Sequence, residues 1–253
     1  MKIQMIVIGF DGATWSFITP NLKQLPAFKA LLSEYPSSTL ECDVRPVHSA
    51  PSWTTIFTGL KPEQHGVKDF VMDENERKRL ASNPAWLWNE FPGSVAMCIP
   101  VAIPPLNSNY DLAKWQETML SVTEEEMFAS TEKLAADAVA AIKYSDAPLI
   151  ATVFCETDRA QHFFWREPAK LLEHYKSVDR ALARLLPFFK DSDFLVLSDH
   201  GFTDAEETRR NNWDTVRENQ TGGHHPLGIA VSNRAPPTKT SEIHGFIRQA
   251  LTK

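Results

Sequence analysis

Cysteine is scarce and scattered. Cys42, Cys98 and Cys155 are odd in number, and no Cys-x-x-Cys pair occurs. That excludes a disulfide framework and gives no reason to expect a thiolate zinc site. Cys98 and Cys155 fall in apolar runs and read as core residues. Basic blocks are missing too. The 26 Lys and Arg face 32 Asp and Glu, for a net charge of −6, which argues against stable nucleic-acid binding and against an anionic membrane surface. No apolar run reaches the roughly 18 residues a membrane span needs. Residues 1–10 are too short an apolar stretch for a signal peptide and meet Asp11 at once, so a reducing cytoplasmic compartment is the expectation. Internal repeats, low-complexity tracts, the Gly-x-Ser-x-Gly elbow, the Gly-x-x-x-x-Gly-Lys-Ser/Thr loop and Gly-x-Gly-x-x-Gly are absent.

What is present is ordinary globular composition, 43% hydrophobic and 23% charged over 253 residues, enough for a sizeable core. Residues 3–9 form a short apolar run closed by glycine, which predicts a buried strand with Asp11 at its C-terminal end. Residues 94–101, 148–155, 193–197 and 227–231 are further strand candidates. Residues 38–47 are β-leaning, with Pro46 favouring an edge. Helical patterns cover 25–33, 51–57, 84–91, 130–144, 168–189 and 241–252, and Thr123 with the acids after it reads as a helix start. Alternating strands and helices predict an α/β three-layer sandwich with a mainly parallel sheet. Residues 68–83 are charged without a period and should be exposed; residues 202–223 are polar and loop-like. Residues 104–122 are irregular, a length of loop that is usually functional.

Acids and histidines collect where the predicted strands end: Asp11, Asp158 with His162, Asp199 with His200, and the turn carrying His224. In open α/β sheets, ligands bind outside the carboxyl ends of the strands. Asp158 and His162 stand four apart, on one face if helical, and could grip one ion. Carboxylate with imidazole suits Zn²⁺, and Mn²⁺ or Fe²⁺ less selectively. Counted as donors, Asp158, His162 and His224 could fill one metal site; Asp11, Ser49, Asp199 and His200 could fill a second. Ser49 precedes Pro51 and an apolar helical run broken at Thr58-Gly59, which on its own is the setting of a helix cap. A divalent cation would activate its hydroxyl without a histidine base, although His48 beside it keeps a serine–histidine pairing open. His65 reads as a loop residue, His174 as part of a solvated helix face, and His225 as a phosphate contact or plain surface. Of seven tryptophans, Trp15, Trp53, Trp115 and Trp165 could stack a base, but core packing is the commoner role.

Taken together, these segments resemble the alkaline phosphatase superfamily in its type I phosphodiesterase/nucleotide pyrophosphatase branch. The matching stretches are Val7-Ile8-Gly9-Phe10-Asp11-Gly12-Ala13-Thr14-Trp15 and Ser49-Ala50-Pro51-Ser52-Trp53-Thr54, continued by Thr58-Gly59, Pro62, His65-Gly66 and Asp69-Phe70. Further on come Thr157-Asp158-Arg159-Ala160-Gln161-His162, Ser198-Asp199-His200-Gly201-Phe202 and Gly223-His224-His225-Pro226-Leu227-Gly228. The resemblance implies one alkaline-phosphatase-like catalytic domain over 1–253 with little or no cap, and a substrate-facing insertion around 104–122. It implies two metal ions, usually zinc: one held by Asp158, His162 and His224, the other by Asp11, Ser49, Asp199 and His200. Ser49 would be the covalent nucleophile of a phosphohydrolase acting on a phosphodiester or phosphomonoester. A phosphomutase and a non-catalytic metal-binding module are the alternatives. The implied partner is a small phosphorylated substrate, with nucleotides among the choices. Diesterases of the group commonly carry Asn three residues after the nucleophile, where this chain has Ser52. Relatives often carry Arg after the last metal histidine, where it has His225; both are therefore substrate-contact candidates. A sulfatase would need Arg two residues after Pro51, and Trp53 stands there.

Overall fold

In the computed structural model, residues 3–101 and 123–253 are described; the expected insertion at 104–122 lies outside the described residues. The central sheet has six strands in the order β2-β8-β5-β1-β4-β3. These are β1 (Met5–Phe10), β2 (Ser37–Glu41), β3 (Val95–Met97), β4 (Leu149–Phe154), β5 (Asp193–Leu197) and β8 (Leu227–Ser232). β1 runs parallel to both β4 and β5, and β3 parallel to β4, while β8 is antiparallel to β5 and to β2. The expected mainly parallel sheet is therefore what forms, with β8 as its reversed strand.

Period-two alternation divides the strands' side chains between two cores. Ile6, Ile8, Phe10, Phe154, Phe194 and Val196 join a cluster with Phe28, Leu134, Tyr175 and Leu182, which belong to helices Pro26–Glu34, Glu124–Tyr144 and Pro168–Leu185. Met5, Val7, Val153, Leu195 and Leu197 point the other way, to Trp53, Ile56, Ile243 and Ile247 on helices Ser49–Thr58 and Ile243–Leu251. Strands buried on both faces need continuous apolar runs, and all six residues of β1 and of β4 are buried. No described helix is long and apolar enough to cross a membrane.

Several expectations need correction. The strand expected over 94–101 is confined to Val95–Met97, and the helix expected over 84–91 to Leu87–Glu90. The β-leaning stretch 38–47 is a strand only through Glu41. Beyond it the backbone changes partners: Cys42 N–H donates to the Pro226 carbonyl and Val47 N–H to that of Trp213. The polar stretch 202–223 is not all loop. It holds β6 (Gly201–Asp204), helix Ala205–Asn211 and the start of β7 (Gly222–His225), and β6 pairs antiparallel with β7. The ribbon is too short and too glycine-rich to show alternation in sequence. His174, expected on a solvated face, is fully buried. The helix that carries it ends at Leu185, and a 3-10 turn, Leu186–Phe188, follows, because Pro187 has no N–H with which to continue an α-helix.

Candidate metal centre

Strands β5, β1 and β4 are neighbours in the sheet, and each delivers acid at its C-terminal end. Asp11 follows β1, Asp199 and His200 follow β5, and helix Glu156–Phe164 after β4 carries Asp158 and His162. Gly12 turns the chain after Asp11 with φ +67°, and a Cβ there would lie 3.0 Å from Phe202, so the tight turn and the close approach both call for glycine. The helix after β4 is stitched to that turn: Thr157 Oγ1 donates to the Asp11 carbonyl (2.7 Å) and Gln161 Nε2 to the Gly12 carbonyl (2.9 Å). From beneath, Glu156 accepts from Ser177 Oγ (2.9 Å) and pairs with His174 Nδ1 (2.9 Å). That pairing is what buries His174.

Ser49 opens helix Ser49–Thr58, capped by His48, whose side chain accepts from Ala50 N–H. Its Oγ donates to Asp11 Oδ1 (3.1 Å) and lies 3.1 Å from His200 Nε2. Trp53, one turn on, donates Nε1–H to Asp11 Oδ2 at 3.2 Å. His200 Nδ1 faces the Gly201 carbonyl at 3.1 Å and so holds the ring proton, leaving Nε2 as a lone pair 3.3 Å from Asp199 Oδ2. Across the site, His224 Nε2 lies 3.2 Å from Asp158 Oδ1 and 3.2 Å from His162 Nε2. Asp158 Oδ2 stands 3.6 Å from His162 Nε2. The other nitrogen of His224, Nδ1, meets both the Val47 carbonyl and Asp214 Oδ2 at 2.7 Å. A carboxylate on the far nitrogen of an imidazole fixes the ring's orientation and leaves Nε2 facing the site.

All seven expected metal donors therefore converge. The ligand atoms of Asp11, Asp199 and His200 lie within 4.8 Å of one another, and so do those of Asp158, His200 and His224. His200 belongs to both groups, so the two clusters of donors adjoin. Ser52 and His225 are not brought in. Ser52 is fully buried with its hydroxyl 3.3 Å from Cys42 Sγ. His225 accepts the Leu227 N–H on Nδ1 and packs against Trp213. Reasoning from sequence missed Trp53 and Asp214. The four-residue spacing from Ser49 to Trp53 was a usable signal; Asp214, inside a polar loop, offered none.

The electrostatics call for a cation. Burial, with Asp199 and Asp158 adding like charge, pushes Asp11 well above the usual carboxylate range. Burial likewise lifts Asp199 to about 7. Burial would raise Asp158 as well, but His162 and His224 outweigh it and hold it low. Burial lowers His162 to about 4 and takes His200 well below its ordinary value. His224 goes the other way: burial opposes its charge, yet Asp158 and Asp214 raise it. Asp158 Oδ1 and Asp199 Oδ2 are buried without a hydrogen-bond donor. Orphaned carboxylate oxygens beside bare imidazole nitrogens are a donor set that fits a divalent cation. Beside the centre opens a cavity of about 540 Å³, lined among others by His48, Ser49, Lys68, Phe70, Phe163 and Arg217.

Comparison with known proteins identifies the family and the fold. The profile of the type I phosphodiesterase/nucleotide pyrophosphatase family matches residues 5–244. Mouse ectonucleotide pyrophosphatase/phosphodiesterase family member 3 is 24% identical over 237 residues, covering 78% of this chain. The match spans 24% of that relative's length, about a quarter of it. Among solved structures, murine ectonucleotide pyrophosphatase/phosphodiesterase 5 in complex with AMP superposes with a TM-score of 0.69 at 14% identity, covering 99% of this chain and 95% of that one. The human counterpart gives 0.66 at 13% identity, covering 98% and 95%. At such identity the likeness is one of fold.

Proposed function

The chain belongs to the type I phosphodiesterase/nucleotide pyrophosphatase family, and from that premise we propose that it is a metal-dependent phosphohydrolase with Ser49 as its covalent nucleophile. The observation that carries the reading is the Ser49 hydroxyl, held at 3.1 Å from both Asp11 and His200 where two clusters of metal-binding character meet. Asp158, His162 and His224 would hold one ion, and Asp11, Ser49, Asp199 and His200 the other; Zn²⁺ is the ion this mixture of donors suits best. When bound, two such ions lower the pKa of a coordinated hydroxyl and neutralise charge on a transferring phosphoryl group.

The chain's own residues do the rest. Ser49 Oγ, its proton released to solvent, attacks phosphorus, and the ester oxygen departs with the bonding pair. Water then cleaves phospho-Ser49, releasing phosphate or a phosphomonoester and regenerating the hydroxyl. Ser49 stands at the N-terminus of its helix, where the dipole favours an anion. Trp53 holds Asp11 in place through its indole N–H. The AMP bound to the murine structural relative supports a nucleotide-like substrate.

The test compares purified protein loaded with zinc or manganese on p-nitrophenyl phosphate, bis-p-nitrophenyl phosphate and the p-nitrophenyl ester of a nucleoside 5′-phosphate. Ser49→Ala should keep fold and metal content while losing turnover by three or more orders of magnitude, as removal of a covalent nucleophile does. Wild-type turnover by that variant would show that the hydroxyl is not the attacking group.

A further inference from the structure

Ser52 turns its hydroxyl to Cys42 and His225 faces Trp213, so neither expected substrate contact lines the cavity. His48 does, beside Ser49. Its ring is fixed on three sides. Nδ1 accepts the Ala50 N–H at 3.2 Å, so that nitrogen is bare and the proton of the neutral ring sits on Nε2. One ring face packs on Phe70 with centroids 4.9 Å apart, and the edge meets His224 at 6.2 Å. Nε2 itself has no hydrogen-bond acceptor among the described residues. Asp69 Oδ1 is 3.9 Å away, beyond hydrogen-bond reach, and already accepts the Phe70 N–H at 2.5 Å. A histidine that served only as a helix cap would not need a second ring nitrogen left without an acceptor on a partly exposed side chain that lines the cavity. Capping requires only an acceptor, which the shorter Ser, Asp or Asn supplies.

We propose that His48 is a substrate-contacting catalytic residue, its Nε2–H donating to an oxygen of the bound phosphoryl group while Nδ1 caps the nucleophile's helix. The inference rests on the reading of Ser49 as the nucleophile of a phosphoryl-transfer site. The peptide between the two residues is the shortest possible link, so the cap that orders the first helical turn also fixes the donor's position relative to the attacking oxygen.

The two jobs can be separated by substitution. In His48→Asn the amide oxygen can still accept from Ala50, but the side chain is too short to replace the Nε2 donor. In His48→Gln the amide N–H reaches the Nε2 position, but the cap is lost. With zinc-loaded protein, His48→Asn should keep its melting temperature and metal content. Its affinity for inorganic phosphate, measured by calorimetry, and its kcat/KM on the aryl phosphates should both fall roughly 10–100-fold, the range for a hydrogen bond to a charged group. His48→Gln should melt lower yet recover most of the phosphate affinity. Wild-type phosphate binding by His48→Asn, or Gln performing no better than Asn, would overturn the proposal. If the wild-type protein turned over none of the esters, the catalytic reading would fall while phosphate affinity still decided the role of His48. If it turned them over and His48→Asn matched it, only the His48 inference would fall.

Discussion

Asp199 shows how individual side chains set the behaviour of the metal-free protein. Burial raises its folded pKa to about 7, above the ordinary aspartate value of 3.8. The folded metal-free state therefore binds more protons than the unfolded chain between those values, and this group's contribution to stability falls as pH rises through that window. Asn at this position mimics the protonated acid and carries no such cost. Metal-free Asp199→Asn should thus melt above metal-free wild type at pH 8, with the gap closing toward pH 4. Differential scanning fluorimetry of chelator-treated protein reads this directly, and a gap that widened toward acid pH would contradict it. Asp214 and Trp53 act on the same scale, each holding a metal donor through its second polar atom. Asp214 is not recognisable without the fold, because its partner His224 is brought to it by another element.

Among the elements, β1 and the Ser49–Thr58 helix depend on each other most closely. Gly9 stands on β1 under the indole of Trp53, and a Cβ there would lie 2.5 Å from Trp53 Cη2 and 2.8 Å from Val153 Cγ2. Both neighbours are fully buried and have no space into which to retreat. Gly9→Ala should therefore destabilise the protein by about 1–3 kcal/mol, the usual cost of overpacking. The midpoint of urea unfolding measures that loss, and an unchanged midpoint would show that the indole can shift freely. The same shift would pull Nε1 away from Asp11, so metal affinity should weaken with it. The helix after β4 is held just as firmly, by Gln161 on the Gly12 carbonyl and by the buried Glu156–His174 pair. It presents Asp158 and His162 from a rigid support, as a metal site demands.

For the molecule as a whole, the buried carboxylates of Asp11 and Asp199 and the partly buried one of Asp158, at the C-terminal ends of neighbouring strands, are a source of repulsion that bound cations would relieve. An ion that binds only the folded state stabilises it by mass action, by about 2.7 kcal/mol at a free concentration a hundredfold above Kd. Zinc added to chelator-treated protein should raise the melting temperature, and more so at pH 8 than at pH 5, because Asp199 must lose its proton to ligate. A melting temperature indifferent to every divalent ion would count against the two-metal reading.

The sequence alone determined the alternation of buried strands and amphipathic helices, and hence the layered α/β fold, since burial on two faces demands apolar runs that composition displays. It also singled out the seven candidate donors, because Asp11, Asp199 and His200 follow strand signals and Asp158–His162 carries its helical spacing openly. Tertiary structure decided what depends on contact between distant segments. It set the strand order that makes β5, β1 and β4 neighbours, and hid the ribbon of β6 and β7 in a polar stretch without period. It turned Ser52 toward Cys42, away from the cavity, and it buried His174 against Glu156. A residue's type and spacing report the face it occupies on its own element. What lies opposite that face is fixed only when the sheet closes and the loops return over it.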